Sequence, residues 1–161
     1  MRVDYLANHQ HLIGEVVDLV YRQWADLFTA ADTSKAELHE MFRSRAVTNR
    51  LPIAIVALSG TELVGTGSIK LSEPGTKPGL SPWLAGMYVK ENFRKSGVGT
   101  MLVRALETKA AELGVQTLYL SVGAALCFYE HLGWVALERV TSYGVKDVTI
   151  MSKNLRSPSE L

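Results

Sequence analysis

The stretch NFRKSGVGT, Asn92 to Thr100, places two glycines and two cations between an apolar run, Trp83 to Val89, and a helical pattern that begins near Val98. A turn at a helix start presents backbone N–H groups with no partner inside the helix. The helix dipole adds partial positive charge there. Glycine lets the chain take left-handed angles and lets a ligand approach without a Cβ in the way. Arg94 and Lys95 add charge at the rim. The chemistry such a turn suits is binding of a phosphate or pyrophosphate. Two familiar phosphate motifs are absent. The P-loop needs Gly-Lys-Ser/Thr at the helix start, whereas Gly99 is followed by Thr100 and Met101. The dinucleotide fingerprint needs a third glycine where Leu102 stands. The bland alternative is a tight turn with no ligand, since lone glycine motifs match often.

Other reactive side chains are sparse. Cys127 is the one cysteine, and only His131 lies at short spacing from it, so an inert, buried thiol is a simpler reading than a nucleophile. His9, His11, His39 and His131 show no metal-ligand spacing, and no metal is expected.

The elements that must hold the glycine turn follow from periodicity. Val3 to Ala7 suits a short strand. Leu12, Ile13, Val16, Val17, Val20, Trp24, Leu27 and Phe28 recur at helical spacing, which predicts one amphipathic helix over about 10–29. Ser34 with Glu37 forms a capping-box pattern before a second helix. IAIVALS and ELVGTGSIKLS, joined at Gly60-Thr61, read as a hairpin. Residues 73–82 hold three prolines and two glycines and read as a loop. WLAGMYV is a strand whose Gly86 marks a bulge or a close backbone approach. Val98, Met101, Leu102, Ala105, Leu106, Ala110 and Leu113 stripe the next helix, and Gly114 caps it. A strand TLYLSV, a short helix ended by Gly133 and two last strands complete the order βααβββαβαββ. That is a mixed α/β (α+β) layout without a linker, so a single domain is expected over 1–155, with a polar tail at 156–161.

The chain of 161 residues can bury a real core. A net charge of +1 provides no global field for nucleic acid or an anionic membrane surface, and neither partner is expected. The N-terminus has no apolar signal core, and no run approaches the length of a membrane span. The single cysteine fits a reducing, cytoplasmic setting.

Arg94-x-x-Gly97-x-Gly99 resembles the Arg/Gln-x-x-Gly-x-Gly/Ala signature of the GNAT superfamily of acetyl-coenzyme A-dependent N-acetyltransferases. MYV before it resembles the family's fourth strand, and CFYEHLGW, Cys127 to Trp134, resembles the segment after its fifth. The specific part covers Trp83 to Trp134. The resemblance implies a mixed, twisted sheet splayed between its fourth and fifth strands. It also implies acetyl-coenzyme A as cosubstrate and an acetyl transfer directly to a small-molecule or peptide amine in a ternary complex. Backbone groups of Lys95, Ser96, Gly97, Val98, Gly99 and Thr100, with Arg94 at the rim, would hold the pyrophosphate. Met87, Tyr88 and Val89 lie on the strand that would meet the pantetheine arm, with Met87 and Val89 offering backbone groups to it. A backbone N–H near Val89 would polarise the thioester carbonyl.

Tyr129 matches the family's tyrosine acid, although its ordinary pKa of about 10 exceeds the roughly 8.5 of a thiol. A hydrogen bond to the departing sulfur is the softer alternative, and a half-buried helix aromatic the bland one. WLAGMYV carries no carboxylate where many relatives have a base, which leaves Glu73 or a water chain. Glu91 stands where many relatives have proline, and Val122 where many have a cofactor-binding asparagine, so one coenzyme contact is missing. Acceptor specificity is expected in the first helices and the 73–82 loop, with Trp24 and Trp83 as candidate walls. Trp24 suits the core better. No acidic cluster announces a polycationic acceptor. A homodimer stays open. The rival function is a coenzyme A-binding sensor or pseudoenzyme without catalysis.

Overall fold

In the computed structural model, residues 1–73, 76–142 and 145–155 are described; the expected tail at 156–161 lies outside them. The run Ile53–Ser59 forms β2, and its residues through Leu58 are buried. A continuous apolar strand of this kind needs cover on both faces. Ile53, Ile55 and Ala57 enter one core with Val98, Leu102, Leu106, Leu118 and Tyr129. Ala54, Val56 and Leu58 enter another with Val16, Val17, Val20, Leu38 and Phe42. Alternation of side chains along the strand therefore splits one element between two cores.

The sheet has seven strands in the order β1-β2-β3-β4-β5-β7-β6. They are β1 (Arg2–Tyr5), β2, β3 (Glu62–Lys70), β4 (Trp83–Val89), β5 (Thr117–Val122), β6 (Val135–Ser142) and β7 (Val145–Asn154). The β2–β3 hairpin turns at Gly60-Thr61 as expected, with Ser59 opposite Glu62. Neighbours pair antiparallel except β4 and β5. Those two are parallel and share one paired position, Trp83 with Tyr119. The Tyr119 N–H also donates to Pro82 O at 3.1 Å. Beyond this point they part, which is the splay implied by the resemblance. Its cause lies in β4. The register with β3 slips between Ser68–Ala85 and Thr66–Tyr88, so a bulge falls at Gly86. A bulge bends its strand, and this one carries the rest of β4 away from β5.

Helices α1 (Ile13–Gln23), α2 (Ala25–Ala30) and α3 (Lys35–Ser44) precede β2, whereas α4 (Val98–Glu112) and α5 (Leu126–His131) flank β5. The Ser34–Glu37 capping box of α3 is complete. The single helix expected over 10–29 is instead a 3-10 stretch, Leu6–Leu12, followed by α1 and α2 with a break at Trp24. In an unbroken helix Tyr21 and Phe28 would stand about 10 Å apart along the axis. The break brings their rings to a stacked 5.8 Å. Trp24, at that break, is half-buried against the core under α1 and α3.

Candidate active site

The glycine turn assembles where β4 ends and α4 begins. Gly97 is the N-cap of α4 with φ 89°, a left-handed angle that side-chain-bearing residues rarely adopt. Nothing stands within 4 Å of the position its Cβ would take. Lys95 is also left-handed, at φ 61°. Arg94 turns back, donating from Nε to Val89 O at 2.8 Å, with its guanidinium 5.5 Å from the Tyr88 ring centre. Ser96 Oγ donates to Phe93 O. These side chains brace the turn. Among the described residues, the N–H groups from Lys95 to Thr100 find no backbone acceptor. They lie at or just before the positive end of a helix fifteen residues long.

Gly99 serves differently from the expectation of open approach. Its Cβ would come within 3.3 Å of the Phe128 ring, so glycine here lets α5 lie across the start of α4. Tyr129, next on α5, enters the core cluster that also holds Leu84 of β4 and Leu120 of β5. Tyr129 is 7% exposed, with Phe128 edge-on at 5.0 Å and Trp134 edge-on at 6.1 Å. Burial pushes its phenol up to about 12, so the proton stays on at neutral pH. Its hydroxyl makes no hydrogen bond among the described residues, and no fully buried side-chain polar atom there lacks a partner. The oxygen is thus the part of Tyr129 left open.

On β4, the Lys90 N–H donates to Val64 O at 2.8 Å, toward β3. Strand alternation then turns the Val89 N–H and C=O away from β3, and the C=O accepts from Arg94 Nε; Met87 lies within the bulge. Tyr88 pairs with Thr66 on β3 and packs against the α1 and α3 side. Thr100 and Val98 sit on the first turn of α4, Val98 buried beneath it.

Other expected residues lie apart from the turn. Trp83 is fully enclosed, its indole N–H donated to Leu80 O at 2.6 Å, and it offers no surface as an acceptor wall. Glu73 pairs with Lys70 at 2.9 Å, beyond the end of β3, rather than standing on β4. Cys127 is exposed, not buried as the sequence suggested, and His131 Nδ1 meets its backbone oxygen rather than its sulfur. No group of three or more metal-binding side chains occurs among the described residues, and no described helix is long and apolar enough to cross a membrane.

Sequence patterns did not disclose the role of Glu107. This α4 carboxylate is buried where the helix stripe suggested only apolar residues. Its oxygens accept from Lys153 Nζ at 2.9 Å, Arg104 Nη1 at 3.0 Å and Trp134 Nε1 at 3.0 Å. Lys153 and Arg104 also donate to Leu132 O. The cluster ties α4 and β7 to the corner after α5, which holds Tyr129. The Arg104-x-x-Glu107 spacing was a possible signal; the partners at 134 and 153 were not.

A family model described as the acetyltransferase (GNAT) family matches residues 17–134. The chain belongs to that family. It is an acetyltransferase, and acetyl-coenzyme A is its acetyl donor. No curated protein matched the sequence. Among solved structures, an aminoglycoside 6'-N-acetyltransferase complexed with coenzyme A superposes with a TM-score of 0.74 at 22% identity, over 98% of this chain and 99% of that one. The aminoglycoside 6'-N-acetyltransferase from Enterococcus faecium gives 0.72 at 23%, over 98% and 99%. The ribosomal-protein-alanine N-acetyltransferase from Brucella melitensis gives 0.72 at 18%, over 96% and 100%. At these identities the likeness concerns the fold.

Proposed function

We propose that this chain moves an acetyl group from acetyl-coenzyme A directly to an amine, with both substrates bound together. The observation that carries this reading is the row of unpartnered N–H groups from Lys95 to Thr100, opening beside the unpaired edge of β4. Those N–H groups, with Arg94 and Lys95 at the rim, fit a pyrophosphate. The Val89 and Met87 backbone groups fit an extended amide arm, as an added strand would. Acetyl-coenzyme A supplies the acyl group and a thiol leaving group. A backbone N–H near Val89 polarises the acyl carbonyl. Tyr129 keeps its proton and offers it, as a hydrogen bond or outright, to the sulfur. The amine must arrive neutral; Glu73, already paired with Lys70, or water takes its proton. Calorimetric titration with acetyl-coenzyme A, followed by thiol release across an amine panel, tests the reading. Binding without release from any amine would favour a non-catalytic coenzyme A sensor. Absence of binding would sink both.

A further inference from the structure

Arg45, at the C-terminal end of α3, is a cation with too few partners. The element that carries it explains its position. The α3 helix stops at Arg45, whose N–H donates to Met41 O and Phe42 O, so its side chain leaves the helix toward the sheet. There Nη1 donates to Ser68 Oγ at 3.3 Å. The guanidinium lies 4.8 Å from the centre of the Phe42 ring. Ser68 is fully buried on β3. Burial pulls the Arg45 guanidinium down to about 10, the main cause, while Glu73 pushes the other way as a nearby charge. A guanidinium has five N–H donors, and among the described residues this one makes a single, neutral side-chain hydrogen bond. Since no fully buried polar atom there is without a partner, the remaining donors are reached from outside.

The place matters as much as the charge. Ser68 is the register partner of Ala85, the residue before the β4 bulge at Gly86. Thr66 and Ser68 alternate with Gly65 and Gly67, and the latter pair faces Leu102 and Leu106 of α4. Arg45 therefore stands on the opposite face, the one that α1 and α3 share. Helices α4 and α5 close the Tyr129 side of the sheet. An acceptor amine is left with the α1–α3 face, and Arg45 lies one strand from the start of the splay. The local charges are Arg45, Lys70 and Glu73, two cations against one carboxylate. Glu73 is already held by Lys70 at 2.9 Å and makes no ion pair with Arg45.

We propose that Arg45 and Ser68 form an anion-recognition point of the acceptor site, and that the acceptor is an amine carrying a carboxylate. The proposal rests on the acetyl-transfer reading above. A partly desolvated guanidinium gains most from an anion that its planar fork can meet with two parallel hydrogen bonds. It repels polycationic amines, whose extra charges find no acidic cluster here.

The test compares amino acids with their amides. Alanine, β-alanine and phenylalanine, each beside its amide, are titrated calorimetrically into the protein loaded with coenzyme A, and assayed for thiol release with acetyl-coenzyme A. An amidated tripeptide with aspartate at its second position separates a free amino acid from an acidic chain; binding of either supports the carboxylate. We expect the acids to bind about 10- to 100-fold more tightly than the amides, the range of one charge-assisted contact. Arg45→Gln should erase that preference, raise KM for the acids and leave acetyl-coenzyme A affinity unchanged. Arg45→Lys keeps the charge without the fork and should retain only part of it. The wild-type comparison needs no variant, so a misfolded variant leaves the test intact. Equal binding of acid and amide, or a preference for an aminosugar or polyamine, overturns the proposal. So does an equal loss for acids and amides in a folded Arg45→Gln protein. Loss of coenzyme A binding in the wild type would instead overturn the transfer reading.

Discussion

Replacing Tyr129 by phenylalanine removes one oxygen and keeps the ring. The edge-on contacts with Phe128 at 5.0 Å and Trp134 at 6.1 Å belong to the ring and persist. The hydroxyl has no protein partner among the described residues, so no donor or acceptor is orphaned by its loss. Stability at neutral pH should change by no more than about 0.5 kcal/mol. The catalytic effect can be bounded. With the phenol at about 12 and a thiol near 8.5, full proton transfer to a free thiolate is uphill by about 3.5 units, or about 5 kcal/mol. The proton therefore moves late, with the breaking C–S bond, or stays on oxygen and donates a hydrogen bond. A hydrogen bond to a charged group contributes about 1.5–3 kcal/mol, a factor of roughly 10–150 in rate. Coupled proton transfer raises the factor to roughly 10²–10⁴. Turnover of Tyr129→Phe with the best acceptor from the amine panel should fall within the span of these two ranges. Acetyl-coenzyme A affinity should be nearly kept, and kcat should fall as far as kcat/KM. Wild-type turnover in the variant, with chemistry shown to limit the rate, would refute the role at the sulfur.

Four further outcomes follow from the same geometry. Gly97→Asp should abolish acetyl-coenzyme A binding in calorimetry, whereas Gly97→Asn, which tolerates the left-handed angle better and adds no charge, should retain part of it; equal affinity in both and in wild type would place the pyrophosphate elsewhere. The folded phenol of Tyr129 lies above its ordinary 10.0, so stability from this group is whole below about pH 10 and is lost as pH rises toward 12. In urea titrations over that interval the wild type should lose up to about 2–3 kcal/mol more than Tyr129→Phe; parallel loss in both proteins would contradict the burial. Ser34→Ala removes the α3 cap and should destabilise by about 1 kcal/mol in the same titration. Glu107→Leu leaves the partly buried Lys153 without its carboxylate and should destabilise by about 2–4 kcal/mol, with a larger loss of turnover than of acetyl-coenzyme A affinity, because the corner holding Tyr129 loosens.

The local elements were legible because each is specified by neighbours in the chain. The Ser34–Glu37 box, the Gly60-Thr61 hairpin, the Gly86 bulge and the glycine after α4 all follow from backbone rules acting over a few residues. The glycine turn belongs to the same class, since Gly97 supplies both the left-handed angle and the helix start. The splay needed one more step. Nothing in WLAGMYV says that β4 parts from β5, and the resemblance implied it before the slipped register gave a cause. The 10–29 helix shows the limit of periodicity. Val16, Val17, Val20, Trp24 and Phe28 keep one face, and a spacing rule cannot see that a break stacks Phe28 on Tyr21 more closely than a continuous helix allows.

The residues that sequence patterns misplaced or passed over have their environments set by distant chain. Trp83 follows a loop, which suggested an exposed wall, yet the carbonyl of Leu80 and the ring of Tyr119 enclose it. Glu107 carried no signal in the sequence, because the groups that bury it stand at 134 and 153. Arg45 is the sharpest case. A cation at the C-cap of a helix suits the dipole and the solvent, and that explanation satisfies the local rules completely. Only the pairing of β3 with β4 puts Ser68 beside the start of the splay and the guanidinium beside Ser68. The fold half-buries this charge against Ser68 Oγ and the Phe42 ring and leaves its other donors open to an incoming group. In the acceptor site proposed above, an anionic group on the amine would use those open donors, which is why the acid-against-amide comparison bears on Arg45.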